Sequence, residues 1–298
     1  MSPRIDRQLV ADLYAEKGTA AAVHRELAAR GIQAHYGTIR RLVTGEQDNR
    51  KGRDTTSRFA NRPINTRIVR LPAVDNPALA GKKSLYPHTV VSDLSLRPIL
   101  KEGQHSPKIG GKILKGKWKG MPVYTLTLEE RATCPTSCGH WQSCYGNAMH
   151  FAVRHDHTAP DFEERLVRNV VRLGRQYPRG FVVRLHVLGD FFSVRYVALW
   201  AALLEQVPAL NVFGYSARWD DADPIAVALI KLTIAQWERF AMRFSDAPVD
   251  ECSMVSLEHP IQRPADAIWC PEQSGKTESC ASCALCWHSK RRIAFVTH

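Results

Sequence analysis

FVVRLHVLGDFFSVRYVALWAALLEQVPALNVFGY, residues 181–215, is the stretch that decides the fold. Phe181 to Leu188 is a short apolar run stopped by Gly189, which reads as a strand. Val194 to Gln206 carries apolar residues at helical spacing, and Leu210 to Tyr215 returns to a strand pattern. Strand, helix and strand in this order spell a βαβ unit, which lays its strands parallel.

The alternation continues on both sides. Upstream, Val123 to Leu128 reads as a strand, and Phe162 to Tyr177 as an amphipathic helix through Leu166, Val170 and Leu173. Downstream, Pro224 to Trp237 is a helix with proline near its start, and Phe240 to Phe244 is a strand. Cys252 to Leu257 reads as a further strand, and Ile293 to Thr297 as a last one at the sheet edge. The sequence has no internal repeat and fewer units than an eight-unit barrel needs. The expected class is therefore α/β, a partial (β/α) barrel.

The chain has 298 residues, 44% of them hydrophobic, enough for one main domain and a small companion. No apolar run is long enough to predict a membrane span, and Met1 to Leu13 lacks a secretory apolar segment, so a cytoplasmic protein is expected. In a reducing compartment eight cysteines point to metal binding or catalysis rather than disulfides. The net charge of +12 is uneven: residues 1–120 carry 23 Lys/Arg against 10 Asp/Glu, and residues 121–298 carry 18 against 19. A basic front attracts nucleic acid, although a solvated basic linker has the same composition.

That front opens with three short helical segments, Asp6 to Glu16, Ala20 to Arg30 and Tyr36 to Thr44, broken at Gly18, Gly31 and Gly45. They match a helix-turn-helix whose third helix presents Tyr36, Thr38, Arg40 and Arg41. A helical adaptor without a DNA role fits the same pattern. Gln47 to Arg62 is polar and reads as linker, and Ile64 to Lys101 has no clear period. Lys108 to Gly120, KIGGKILKGKWKG, reads as a glycine-rich hairpin with a basic edge. The expected division is a helix-turn-helix domain over 1–48, a basic linker over 49–105, the α/β domain over 106–260 and a cysteine-bearing segment over 261–298.

Two cysteine groups carry the chemistry. Cys134, Cys138 and Cys144 follow the first strand of the α/β part, where parallel folds bind ligands. Three thiolates hold three irons of a [4Fe–4S] cluster and leave the fourth open to a small molecule. A zinc site completed by His140 or a distant ligand is the competing arrangement. Cys270, Cys280, Cys283 and Cys286 form the second group, suited to an iron–sulfur cluster or to structural zinc. Cys252 reads as a buried strand residue. His140, His150, His155, His157 and His186 fall near the first group, and Arg184 and His186 share a strand face by period two, as candidate catalytic residues. No Ser-His-Asp spacing, P-loop or dinucleotide fingerprint is present.

The Cys134–Cys138–Cys144–Tyr145 loop resembles that of the radical S-adenosylmethionine superfamily, although the last cysteine interval is longer here. The resemblance spans about residues 120–245 and implies a partial (β/α) barrel of that type. It also implies cluster ligation by the three cysteines, with Tyr145 beside the adenosyl group. Gly189 and Asp190 would then hold the methionine amino group, and Ser216 would lie among the ribose or carboxylate contacts. It implies S-adenosyl-L-methionine as cofactor, an electron donor such as a flavodoxin or ferredoxin as partner, and an auxiliary cluster at the second cysteine group. More closely, the hairpin, cysteine loop, Gly-Asp-Phe strand end and terminal cysteines resemble a phage and mobile-element family of the gene product eighty-eight type, which implies no substrate. The expected function is radical chemistry by an iron–sulfur enzyme, possible on a nucleic-acid-related substrate. The alternative is a zinc-stabilised DNA-binding regulator without catalysis.

Overall fold

A computed structural model describes residues 6–32, 34, 36–44, 76–92, 98–248, 252–257 and 262–296. The chain divides into two compact units, Met1–Arg58 and Phe59–His298.

The first unit contains α1 (Arg7–Lys17), α2 (Ala20–Ala29) and α3 (Tyr36–Thr44). The Asp6 carboxylate caps α1 by accepting from the Gln8 and Leu9 amides, and Gly18 ends the helix at φ 72°. Thr19 caps α2 through the Ala22 amide. Val10, Leu13, Val23, Leu27 and Ile39 form the shared core. The side chains of Arg40 and Arg41, Gly45 and the linker at Gln47 to Arg62 lie outside the described residues.

In the second unit a single turn at Pro77–Ala80 precedes β1 (Val90–Val91), β2 (Lys101–Glu102), β3 (Val123–Thr125) and β4 (Arg154–His155). There follow α4 (Phe162–Gln176), β5 (Phe181–Leu185), α5 (Val194–Gln206), β6 (Leu210–Ser216), α6 (Pro224–Gln236), β7 (Phe240–Ser245) and β8 (Ser253–Leu257). The chain ends through β9 (Ile268–Trp269), α7 (Cys280–Cys283), α8 (Leu285–His288) and β10 (Ile293–Val296). The main sheet has the order β2-β3-β5-β6-β7-β8-β10-β9. Every pairing in it is parallel except β2 with β3. β1 pairs with β4 in a small parallel sheet beside it.

The long helices α4, α5 and α6 contribute to one core layer, with Leu166, Val170, Trp200, Leu203 and Leu229 against Phe181, Val183, Leu185, Val212 and Met242. The alternate strand residues Val182, Phe213 and Ala241 face a second layer, which holds Trp118, Cys270, Cys286 and Trp287. Both faces are covered, which is why these strands are almost continuously apolar. Each large side chain fully buried contributes about 1.5–3 kcal/mol. Gly214 lets β6 lie against β5: a Cβ there would stand 1.8 Å from the Leu185 carbonyl oxygen.

Several expectations change. β10 is not an edge strand, because β9 pairs on its far side. The 261–298 segment is no appendage: its two strands complete the main sheet. Residues 76–105, expected as linker, supply β1 and β2 and bury Ile99 and Leu100 in the core, which apolar pairs between prolines hide from a periodicity count. The basic hairpin is present as backbone bonds, Ile113 N–H to Met121 O (2.9 Å) and Gly120 N–H to Ile113 O (2.8 Å), without extended strands.

Candidate metal centre

β3 ends at Thr125, and the cysteine loop follows as a chain of turns. The Cys138 amide donates to Pro135 O (3.1 Å), Trp141 to Cys138 O (2.9 Å) and Asn147 to Cys144 O (2.9 Å). Buried charges fix the loop. Arg154, fully buried, donates from Nε to Glu130 Oε2 (2.6 Å) and from Nη2 to Glu130 Oε1 (3.1 Å) and Gly146 O (3.2 Å). Its Nη1 reaches Thr89 Oγ1 and the carbonyls of Met149 and Ala152. The Ser84 hydroxyl donates to Glu130 Oε1 (2.9 Å). A buried ion pair needs this full set of partners to offset its desolvation.

A second network ties the loop to the carboxyl ends of β5 and β6. Asp190 accepts from the Phe191 amide (2.7 Å), the Ser216 hydroxyl (2.7 Å) and the Ala217 amide (2.8 Å). Its own amide donates to Thr133 Oγ1 (3.1 Å). Arg218 donates to Phe191 O (2.5 Å), Asp223 Oδ2 (2.6 Å) and Thr133 O (3.2 Å). Burial pushes the Asp190 carboxyl up to about 6, against the bonds from Ala217, Ser216 and Phe191 that favour the carboxylate.

These contacts show where the expected ligand residues stand. Asp190 and Ser216 are buried and bonded to one another, which ties the ends of β5 and β6 together. Ser193 caps α5, its hydroxyl accepting from the Tyr196 amide (3.1 Å). Gly189 does allow a close approach, but to the cysteine loop: at φ +84°, a Cβ would lie 2.6 Å from Thr133 Oγ1. Tyr145 is 43% exposed beside Cys144.

Arg184 and His186 do not share a face. β5 stops at Leu185, so period two no longer holds at His186. The His186 ring turns to the helical layer, bonded to the Tyr196 hydroxyl (3.1 Å) and 5.0 Å from the Phe191 ring. Burial, and next the Arg184 charge, lower its pKa to about 3. Arg184 turns the other way and lies over the Tyr215 ring at 4.6 Å. Of the other histidines, His140 bonds Ser256 Oγ (3.0 Å), His150 packs on Tyr86, and His157 packs on Phe192. The buried His155 is lowered to about 4 by burial and by Arg165.

The second cysteine group is gripped by the basic hairpin. The Cys280 amide donates to Lys108 O (2.8 Å), Ala281 to Ile109 O (2.9 Å) and Leu114 to Ala281 O (3.0 Å). Trp118 stacks on Trp287 with ring centroids 5.6 Å apart. The Tyr215 hydroxyl lies 2.8 Å from Cys286 Sγ, and the buried Arg243 donates to Cys286 O (2.9 Å) and Arg291 O (3.0 Å). Cys252 sits one residue before β8, half-buried and packed against both cores.

The thiols share a pattern. Backbone N–H groups of Arg131, His140 and Gly146 donate to the sulfurs of Cys134, Cys138 and Cys144, and those of Gln273 and Leu285 to Cys270 and Cys283. Such bonds favour thiolate. Burial still wins, holding Cys134, Cys138, Cys280 and Cys283 above the ordinary thiol value and pushing Cys144 to about 11 and Cys270 to about 12. Among the described residues, no group of three or more Cys, His, Asp or Glu side chains is placed to hold a metal ion. In donor chemistry the first group fits a thiolate-bound metal: soft sulfur ligands, amides directed at them, and unpartnered buried N–H groups on Arg131. The second offers four thiols, two of which, Cys270 and Cys283, receive backbone N–H groups.

Sequence reasoning missed Glu130, Arg131 and Arg154. The run Glu129-Glu130-Arg131, shortly before Cys134, was the available signal, because three charges following the apolar run to Leu128 must find partners if they are buried.

No protein-family description matches the chain, and no solved structure matches it. The chain is similar to the Gene 88 protein of Mycobacterium phage L5, 26% identical over 145 residues, which cover 41% of this chain and little more than half, 56%, of the phage protein.

Proposed function

We propose that this chain is an iron–sulfur enzyme of the radical S-adenosylmethionine kind, from a phage or mobile-element setting. The observation that carries the reading is the first cysteine group: three half-buried thiols, each receiving a backbone N–H, in a loop that leaves the carboxyl end of a parallel strand. Cys134, Cys138 and Cys144 would hold a [4Fe–4S] cluster, and that cluster with S-adenosyl-L-methionine would supply one-electron, radical-generating chemistry. The chain's residues supply the setting. Glu130 and Arg154 brace the loop, Asp190 and Arg218 bind it to β5 and β6, and exposed Tyr145 offers a ring to a nucleoside. The second cysteine group would hold an auxiliary cluster or zinc.

Anaerobic purification with iron, sulfide and zinc analysis tests this. The expected result is brown protein with up to ~8 irons if both groups carry [4Fe–4S] clusters. Replacing Cys134, Cys138 and Cys144 by Ala should halve the iron. Reduced protein with S-adenosyl-L-methionine should release 5′-deoxyadenosine. Stoichiometric zinc without iron overturns the reading. It would leave the second one, a zinc-stabilised DNA-binding regulator, which the capped three-helix unit favours.

A further inference from the structure

Arg131 is the least satisfied charge in the protein's buried loop. It is 2% exposed and holds a left-handed backbone at φ 63°, a conformation costly for a residue with a side chain. Its Nη2 donates to Asn147 Oδ1 (2.7 Å) and Trp141 O (3.0 Å), which pins the guanidinium inside the cysteine loop. Among the described residues, Nε and Nη1 are buried with no hydrogen-bond acceptor. Glu130 does not serve them: Oε1 stands 4.0 Å from Nη1 and already accepts from Arg154 and Ser84.

A buried guanidinium with idle N–H groups calls for an acceptor, best an anionic one that offsets the desolvation of its charge. The surroundings name it. The Arg131 amide donates to Cys134 Sγ, and its side chain lies within electrostatic range of Cys138 and Cys144. Three thiolates around a metal are an anion in need of a counter-charge, and hydrogen bonds to cluster sulfur raise a reduction potential.

We propose that Arg131 is the built-in counter-charge of the first cysteine group, its Nε–H and Nη1–H donating to the sulfurs of the metal–thiolate centre and setting its affinity and reduction potential. The proposal rests on the metal-centre reading above and assigns a tuning role to a residue outside the ligand set.

The test uses the full chain, reconstituted anaerobically with ferrous iron and sulfide and titrated with dithionite as one-electron donor, followed by absorbance and electron paramagnetic resonance. Arg131→Met should shift the reduction equilibrium at least about tenfold toward the oxidised form, or ~59 mV more negative. Arg131→Lys, which keeps the charge and loses the fork, should fall between it and the unaltered protein. Asn147→Ala removes the contact that pins Arg131 and should lower thermal stability with a smaller shift. An unchanged potential and unchanged iron affinity in Arg131→Met overturn the proposal. If the unaltered chain takes zinc and no iron, the iron–sulfur reading fails separately. Chelator competition then decides for Arg131: zinc affinity at least about tenfold weaker in Arg131→Met supports its role, and equal affinity overturns it. A chain that binds neither metal overturns both. Should Arg131→Met not fold, the potential and affinity of Arg131→Lys decide by the same comparison.

Discussion

Arg154 and Glu130 show how much a single pair can hold. Arg154 spends its side chain on Glu130, Thr89 and three loop carbonyls, and both charges are buried. Removing one member leaves the other charged and without its partner, a change that costs about 3–5 kcal/mol. Arg154→Met should therefore destabilise the second unit by that order in chemical denaturation. Because Gly146 O and Met149 O lose their donor, metal retention should weaken with it. An Arg154→Met protein with unaltered denaturation and metal content would show that the loop is held by its own turns. At the same scale, the sequence showed the seven motif cysteines clearly, since their spacing is local. It could not show that Asp190 and Ser216 bond each other, because 26 residues separate them along the chain.

Elements fit where backbones can meet. β5 and β6 pair with Leu185 opposite Gly214, and the space at Gly214 is taken by the Leu185 carbonyl. Gly214→Ala must push the two central strands apart, a change in the class that costs more than about 4 kcal/mol. The expected result is a protein that fails to fold, or melts far below the parent by circular dichroism; an unchanged melting point would mean that the strands give way freely. The strand and helix boundaries were legible because buried parallel strands are short apolar runs and the helices keep their period. Val194–Gln206 falls where the pattern puts it. The strand expected over Phe181 to Leu188 stops at Leu185 because Val187 bonds back to Leu126 O (2.7 Å), a contact with a distant segment.

On the scale of the molecule, charge is the unspent feature. The basic front supplies Arg40 and Arg41 on α3, and exposed Lys108, Lys112, Lys115 and Lys119 along the hairpin. If these grip nucleic acid, the affinity of the intact chain should fall by roughly 0.9 log units per log unit of salt for each phosphate neutralised. Arg40→Ala with Arg41→Ala, and separately Lys112→Gln with Lys115→Gln and Lys119→Gln, should weaken binding and flatten that slope while leaving metal content unchanged. Absence of binding at low salt would remove nucleic acid from the functional reading. The hairpin has a second duty that charge did not announce: its backbone holds the second cysteine group in place.

The sequence by itself determined the alternation of strands and helices, the capped three-helix segment at the front and the two cysteine groups, because each is written in neighbouring residues and in periods of two or 3.6. Tertiary structure decided the rest. It turned Arg184 and His186 to opposite layers, made β10 an interior strand and gathered Glu130, Arg154, Asp190 and Arg218 around the cysteine loop. Among the described residues, it also left two groups of Arg131 without hydrogen-bond partners. These outcomes depend on which distant segments share a buried space. There an unpaired charge is costly enough to dictate its neighbours, and no local pattern records who those neighbours are.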